Sequence, residues 1–236
     1  MDAETIWSTV RERTWPVGPP DAGWWTLAAV GIGLALVAIP GIWRIARLGI
    51  TIVHELGHAG VGIVVGRRFT GFVVNGDMSG HAVTVGRTTG PGRIASAWAG
   101  YPAPGVVGAA LIALAFSGAA RTAVFAALVV LVLSFVFVRS AHTLLVVVGA
   151  AALTGALWWW GSPALAAAVV LGAGVLLLLG AWRHLGAVMA RGRGIDDPQQ
   201  LARITPLPVW AWNASFVLVL AACTWWAWDS LAPHVL

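Results

Sequence analysis

The 236-residue sequence predicts an all-α polytopic membrane protein with about seven transmembrane helices and a small β-hairpin. Its composition is 59% hydrophobic and 10% charged, whereas soluble domains are about 45–50% apolar and about 25% charged. Apolar runs close to the ~20 residues that a membrane-crossing helix needs recur along the chain. Many of the 15 tryptophans lie at the ends of these runs, where indole rings favour the membrane interface.

The apolar runs divide the chain into a short polar start and one transmembrane domain. Residues 1–23 form a polar N-terminal segment without the apolar core of a secretory signal, and residues 24–236 form a single domain. The predicted spans cover residues 24–43, 45–65, 94–116, 122–138, 141–160, 164–182 and 208–228.

Two polar stretches interrupt the apolar pattern. At residues 67–90, β-prone segments flank the turn sequence Asn75-Gly76-Asp77, which predicts a β-hairpin, with an irregular loop as the alternative. The free edge of such a hairpin could pair with an extended peptide. The second stretch, residues 191–205, is a polar loop that we expect on the same side of the membrane.

The basic residues predict an orientation in the cell membrane. All 14 are arginines. With a cytoplasmic N-terminus and seven spans, 11 arginines lie in cytoplasmic segments and 3 in outer segments. Positive charge is enriched in cytoplasmic segments, so we expect the N-terminus inside, the C-terminus outside and the hairpin at the cytoplasmic face. No basic run exceeds two residues, which argues against a nucleic-acid partner.

The segment His54-Glu55-Leu56-Gly57-His58 carries the strongest chemical signal. Histidines four residues apart lie on one face of a helix, where both imidazoles can bind one zinc ion. Glu55 could then take a proton from a zinc-bound water. Ionisable residues within a membrane span are costly and usually functional. The sequence therefore predicts one Zn²⁺ per chain.

A catalytic zinc site needs a third protein ligand. No glutamate follows Glu55, and valines occupy the positions where a metzincin needs glycine and histidine. The remaining candidates are Asp77, His81, His142, His184, Asp196, Asp197, Cys223, Asp229 and His234. Asp197 and Asp196 are favoured because they lie on the same side as the histidine pair, and His81 stays open. Asp197-Pro198-Gln199-Gln200 also has the form of a helix start, in which the aspartate would be a cap.

These motifs together resemble the site-2 protease family of intramembrane zinc metallopeptidases, in particular the small bacterial members without a PDZ domain. The resemblance rests on the His54–His58 motif, the hairpin, Ala99-Gly100-Tyr101-Pro102-Ala103-Pro104-Gly105, and the segment from Asp197 to Trp210. It implies that His54 and His58 bind zinc, that Glu55 is the general base and that Asp197 is the third ligand. The family's asparagine-containing and Leu-Asp-Gly elements are missing in standard form, which leaves Asn213 and Tyr101 as candidate contacts to the oxyanion or substrate.

The resemblance implies an intramembrane metalloprotease that cleaves a transmembrane protein substrate at the cytoplasmic side of the lipid bilayer. One alternative is a non-proteolytic membrane protein that holds zinc for structure or regulation, in which His81 would close the site as a fourth ligand. A transporter ranks third, because the chain has no detectable internal repeat.

Overall fold

A computed structural model of the chain describes residues 2–16, 18, 23–76, 79–191 and 196–235. These residues are mainly helical, with one two-stranded sheet. In chain order the elements are α1 (Ala3–Thr14), α2 (Trp24–Ala38), α3 (Pro40–Val64), β1 (Arg68–Val74), β2 (Gly80–Val85), α4 (Pro91–Trp98), α5 (Pro102–Phe116), α6 (Ala120–Ser134), α7 (Ala141–Trp160), α8 (Pro163–Arg191), α9 (Asp197–Ile204) and α10 (Val209–Leu231). Short 3₁₀ turns extend α6 and α10.

The described residues contain four to six candidate membrane spans instead of the predicted seven. Four helices are long and apolar enough to cross a membrane alone, namely Ala120–Phe137, Ala141–Trp160, Pro163–Arg191 and Val209–His234. Two further candidates are bent pairs, α2 with α3 at 101° and α4 with α5 at 57°. The chain is therefore a multi-pass membrane protein, but each bent pair counts as at most one span.

Proline explains the difference in span number. Pro40 begins α3, and the residue before it, Ile39, adopts an extended conformation that ends α2, as expected for a residue that precedes proline. The predicted spans 24–43 and 45–65 are thus the two arms of one bent pair. Pro102 likewise begins α5 after a break at residues 99–101, within the predicted span 94–116.

The core of the bundle lies where α8 packs against α2 and α5. Gly108 on α5 and Gly174 on α8 allow the closest approach. A methyl group on Gly174 would lie 2.8 Å from the Gly108 carbonyl oxygen, and one on Gly108 would lie 2.7 Å from the Leu178 nitrogen. Small residues at helix contacts are how membrane bundles bring backbones together. This close contact holds α5 and α8 together, and the polar elements pack around these two helices.

The predicted β-hairpin is confirmed. β1 and β2 pair antiparallel, with Phe72 opposite Ala82 and Val74 opposite Gly80. The far edge of β1 is covered, because Phe72 forms a bridge with Val138 and the Val74 N–H donates to Thr143 Oγ1 on α7 at 2.8 Å. The edge of β2 faces α3. Asp77 of the predicted turn lies outside the described residues.

Both polar segments that the sequence set apart from the apolar spans contain a helix. The polar segment 1–23 includes α1, and the predicted loop 191–205 includes α9, which begins at Asp197. Residues 192–195 of that loop lie outside the described part of the chain.

Both ends of the chain lie at the same end of the bundle. Thr14 of α1 accepts hydrogen bonds from Thr122, at the start of α6, and from Trp158, near the end of α7. Near the C-terminus, the His234 ring stacks on Phe116, the last residue of α5, with ring centroids 4.0 Å apart. The predicted placement of the termini on opposite sides of the membrane follows from the predicted odd number of spans, whereas an even number would place both termini on one side.

Candidate metal centre

Three predicted ligands converge at the end of the bundle opposite the termini. His54 and His58 project from one face of α3, and Asp197 comes from the first residue of α9. His54 Nε2 lies 3.1 Å from His58 Nε2, and each of these nitrogens lies 3.1 Å from Asp197 Oδ2. Ligands about 2.0–2.1 Å from a tetrahedral zinc ion are about 3.3–3.4 Å apart, so the three separations fit a single metal ion.

Hydrogen bonding prepares His58 for this role. Its Nδ1 lies 2.7 Å from the Ser96 carbonyl oxygen. Since a carbonyl only accepts, Nδ1 must carry the proton, which leaves the Nε2 lone pair free for a metal. The Ser96 hydroxyl in turn donates to the His58 carbonyl oxygen at 2.9 Å. α4 therefore fixes both the tautomer and the position of this ring.

One oxygen of the Asp197 carboxylate faces both histidine rings. This oxygen, Oδ2, is buried and, within the described residues, makes no hydrogen bond of acceptable geometry despite its closeness to both rings. A buried unpaired oxygen costs about 1–3 kcal/mol, which a bound cation would offset.

The two alternative ligands, Asp196 and His81, line the same cavity but do not belong to the cluster of three donor atoms. Asp196, not Asp197, occupies the N-cap of α9, although its side chain makes no capping hydrogen bond, and its carboxylate lies 3.9 Å from Arg191. His81 lies on β2 opposite Val73. Within the described part of the chain, the group of possible metal ligands comprises His54, His58 and Asp197 without a fourth member. An unclosed set of three ligands is typical of a catalytic site.

The metal centre borders a cavity of about 920 Å³ between α3, α8, α9 and the hairpin. Glu55 lines it beside the ligands, and a methyl group on Gly80 would lie 2.9 Å from Glu55 Oε1. The Ala82 backbone N–H hydrogen-bonds to the Glu55 carboxylate. The hairpin therefore fixes the carboxylate from one side of the cavity. Four arginines also line it: Arg47, Arg93, Arg183 and Arg191.

The edge of β2 presents backbone groups to this cavity. The Asn75 N–H donates to the Ser79 carbonyl, which marks that pair as hydrogen-bonded. Pairs alternate along an antiparallel ladder, so the backbone groups of Gly80 and Ala82 point away from β1. Both residues line the cavity.

The two predicted oxyanion or substrate contacts differ in position. The Tyr101 ring lies 4.9 Å from the His54 ring and borders the cavity. Asn213 lies near the start of α10, and the described residues that line the cavity do not include it.

Two residues, His184 and Gly100, lie at the site although the sequence alone did not place them there. His184, one of the less favoured candidates, borders the cavity with its ring centroid 5.7 Å from that of His54. The signal in the sequence is an ionisable side chain within a long apolar helix. Gly100 lies against the ligands, because a methyl group there would overlap the His58 ring and lie 2.6 Å from His54 Nε2.

Comparison with known proteins agrees with this geometry. The family model described as Peptidase M50B-like matches residues 27–227, a range that runs from α2 to α10 and includes all three ligands. No curated protein and no solved structure matches the chain significantly. The match confirms the resemblance to the site-2 protease family. Because it covers most of the sequence, the chain belongs to the Peptidase M50B-like family.

Proposed function

We propose that this chain is a zinc-dependent intramembrane protease that hydrolyses a peptide bond in or near a transmembrane segment of a membrane-protein substrate. The observation that carries the proposal is the set of three ligand atoms, each 3.1 Å from the others, beside a buried glutamate in a large cavity. Membership of the family supports a membrane metallopeptidase.

His54, His58 and Asp197 would hold one zinc ion. Zinc with three protein ligands supplies an activated water at neutral pH and polarises a carbonyl group. Glu55 takes the proton from the attacking water while the new C–O bond forms. The same carboxylate then delivers that proton to the amide nitrogen as the C–N bond breaks. The Ala82 N–H orients the carboxylate for both transfers.

The substrate would bind as an extended strand along β2. A helical peptide bond has its carbonyl occupied by the i+4 amide, so the substrate must unwind before attack. The outward N–H and C=O of Gly80 and the C=O of Ala82 can hydrogen-bond to such a strand, which is strand addition at a sheet edge. This edge ends beside Glu55, so a paired strand would pass close to the ligands.

The arginines support a cytoplasmic active site. Ten described arginines lie at the end of the bundle that holds the ligands, namely Arg44, Arg47, Arg67, Arg68, Arg87, Arg93, Arg139, Arg183, Arg191 and Arg203. The opposite end holds Arg11, Arg13 and Arg121. By the positive-inside rule the metal centre faces the cytoplasm. Both termini then lie outside, which changes the expected side of the N-terminus.

Cysteine labelling tests this orientation. In a Cys223→Ala background, we expect a membrane-impermeant maleimide to label Glu4→Cys and Asp229→Cys in intact spheroplasts, since both positions are exposed at the end with the termini. Arg87→Cys, exposed near the hairpin, should react only after permeabilisation. Labelling of Asp229→Cys without Glu4→Cys would instead indicate an odd number of spans.

Metal content and cleavage test the proposed activity together. The full chain in lipid nanodiscs is expected to hold one zinc per chain and to cleave a synthetic single-span peptide with a glycine-rich, helix-breaking segment near its cytoplasmic end. Chelation should abolish cleavage, and zinc should restore it. We expect Asp197→Ala to weaken zinc binding by at least about 100-fold, since a ligand is lost.

Asp196→Ala is the matched control, because it removes a neighbouring carboxylate that points towards Arg191. It should retain zinc and cleavage. If Asp197→Ala bound zinc as tightly as the unmodified chain, Asp197 would not be the third ligand. Cleavage that survives complete removal of zinc would refute the proposed activity.

A further inference from the structure

His184 lies near the metal centre, and the proposed mechanism gives it no role. It lies in the third quarter of the apolar helix α8, and its ring centroid is 5.7 Å from that of His54 and 5.4 Å from that of Tyr101. Burying an imidazole in a membrane bundle is costly, so a residue at this position is expected to be functional.

His184 and Glu55 approach the ligands from different walls of the cavity. Glu55 is on the side of the hairpin, where it contacts Gly80 and Ala82. His184 is carried by α8, with Ala187 and Arg191 of the same helix also lining the cavity. A peptide bound along β2 would therefore have the base on one side and the imidazole across the cavity.

We propose that His184 donates a hydrogen bond to the carbonyl oxygen of the scissile peptide bond when negative charge develops on it. This inference rests on the proposed proteolytic function. As water attacks, the carbonyl π electrons move onto that oxygen, and they return when the C–N bond breaks. His184 changes no bond itself. It supplies a fixed donor where charge develops, which is the arrangement that lowers the barrier in acyl transfer.

The surroundings of His184 suit an anionic transition state. The guanidinium groups of Arg47 and Arg191 line the same cavity as His184. The Tyr101 ring packs between His184 and Phe216, with centroid distances of 5.4 Å and 5.1 Å. These contacts hold the imidazole in place, so that little reorganisation is needed during the reaction.

The test separates transition-state stabilisation from support of the metal. His184→Ala and His184→Gln are compared with the unmodified chain in nanodiscs, for zinc content, kcat and KM on a single-span peptide that the unmodified chain cleaves. A second probe is the same peptide with a phosphonate in place of the cleaved bond. We expect kcat to fall about 10- to 100-fold, with KM within about threefold and one zinc retained. Phosphonate affinity should fall by the same factor as kcat.

His142→Gln is the control, because His142 is an exposed histidine that contacts the hairpin at the Val74 carbonyl. It should leave kcat and phosphonate affinity near those of the unmodified chain. Unchanged kcat in both His184 variants would overturn this inference and leave the proposed function intact. So would loss of zinc with normal kcat per zinc-loaded molecule. Failure of the unmodified chain to cleave any single-span peptide would overturn both.

Discussion

Glu55→Gln is expected to lower the rate of peptide cleavage about 10²- to 10⁴-fold while zinc remains bound. The side chain is 5% exposed, and glutamine has nearly the same shape. An amide oxygen can still accept the hydrogen bond from the Ala82 N–H, but it cannot take a proton from water at neutral pH. The three ligands do not include Glu55, so metal content should be unaffected. Single-turnover cleavage and metal analysis of the same sample measure both quantities.

Glu12→Gln provides a matched control, because Glu12 is an exposed glutamate on α1, at the opposite end of the bundle. Its cleavage rate should equal that of the unmodified chain. A Glu55→Gln protein that cleaves at the normal rate would show that Glu55 is not the base. Loss of zinc from this variant would point to a role in holding the metal instead.

Gly100→Ala is expected to weaken zinc binding by about 100-fold or more and to reduce cleavage with it. The added methyl group would overlap the His58 ring and lie 2.6 Å from His54 Nε2. The rings cannot move away freely, because Ser96 holds His58 Nδ1 at 2.7 Å and the Tyr101 ring lies against His54. The ligand atoms would therefore leave the positions that suit one ion. Zinc titration followed by calorimetry measures the effect.

The matched control is Gly60→Ala, which lies on α3 two residues after His58. Nothing lies within 4 Å of the position that its methyl group would take. We expect normal zinc affinity and a slight gain in thermal stability, because alanine favours a helix over glycine by about 0.5–1 kcal/mol. Normal zinc affinity of Gly100→Ala would contradict the position of the rings described above.

The sequence predicted the straight spans well and the bent ones poorly. The predicted spans 122–138 and 141–160 agree closely with Ala120–Phe137 and Ala141–Trp160. Long apolar runs with tryptophan at their ends define such helices without any tertiary information. Hydropathy does not measure direction, so the 101° bend before Pro40 was missed and one bent pair was counted as two spans. The predicted side of the N-terminus depends on the number of spans.

The sequence predicted the site residues that depend on local spacing, but not those that depend on how distant helices pack. The ring pair His54 and His58 follows from helical periodicity alone, and Asp197 could be reached by elimination. The sequence could not decide between Asp197 as ligand and as cap, because both uses fit the same dipeptide before Pro198. Gly100 and His184 come from α4–α5 and α8, and their closeness to His54 depends on how those helices pack.

The hairpin has a consequence for how copies of this protein behave next to one another. An exposed strand edge is a template for pairing with any other chain, including a second copy, and invites aggregation. Here β1 pairs with β2 on one side and contacts α7 and Val138 on the other, so no further strand can pair with β1. The edge of β2 is recessed in the cavity beside α3 and α8. An extended peptide fits into this recess, whereas the edge strand of another folded copy does not. The recess therefore protects the folded protein from edge-to-edge aggregation in the membrane.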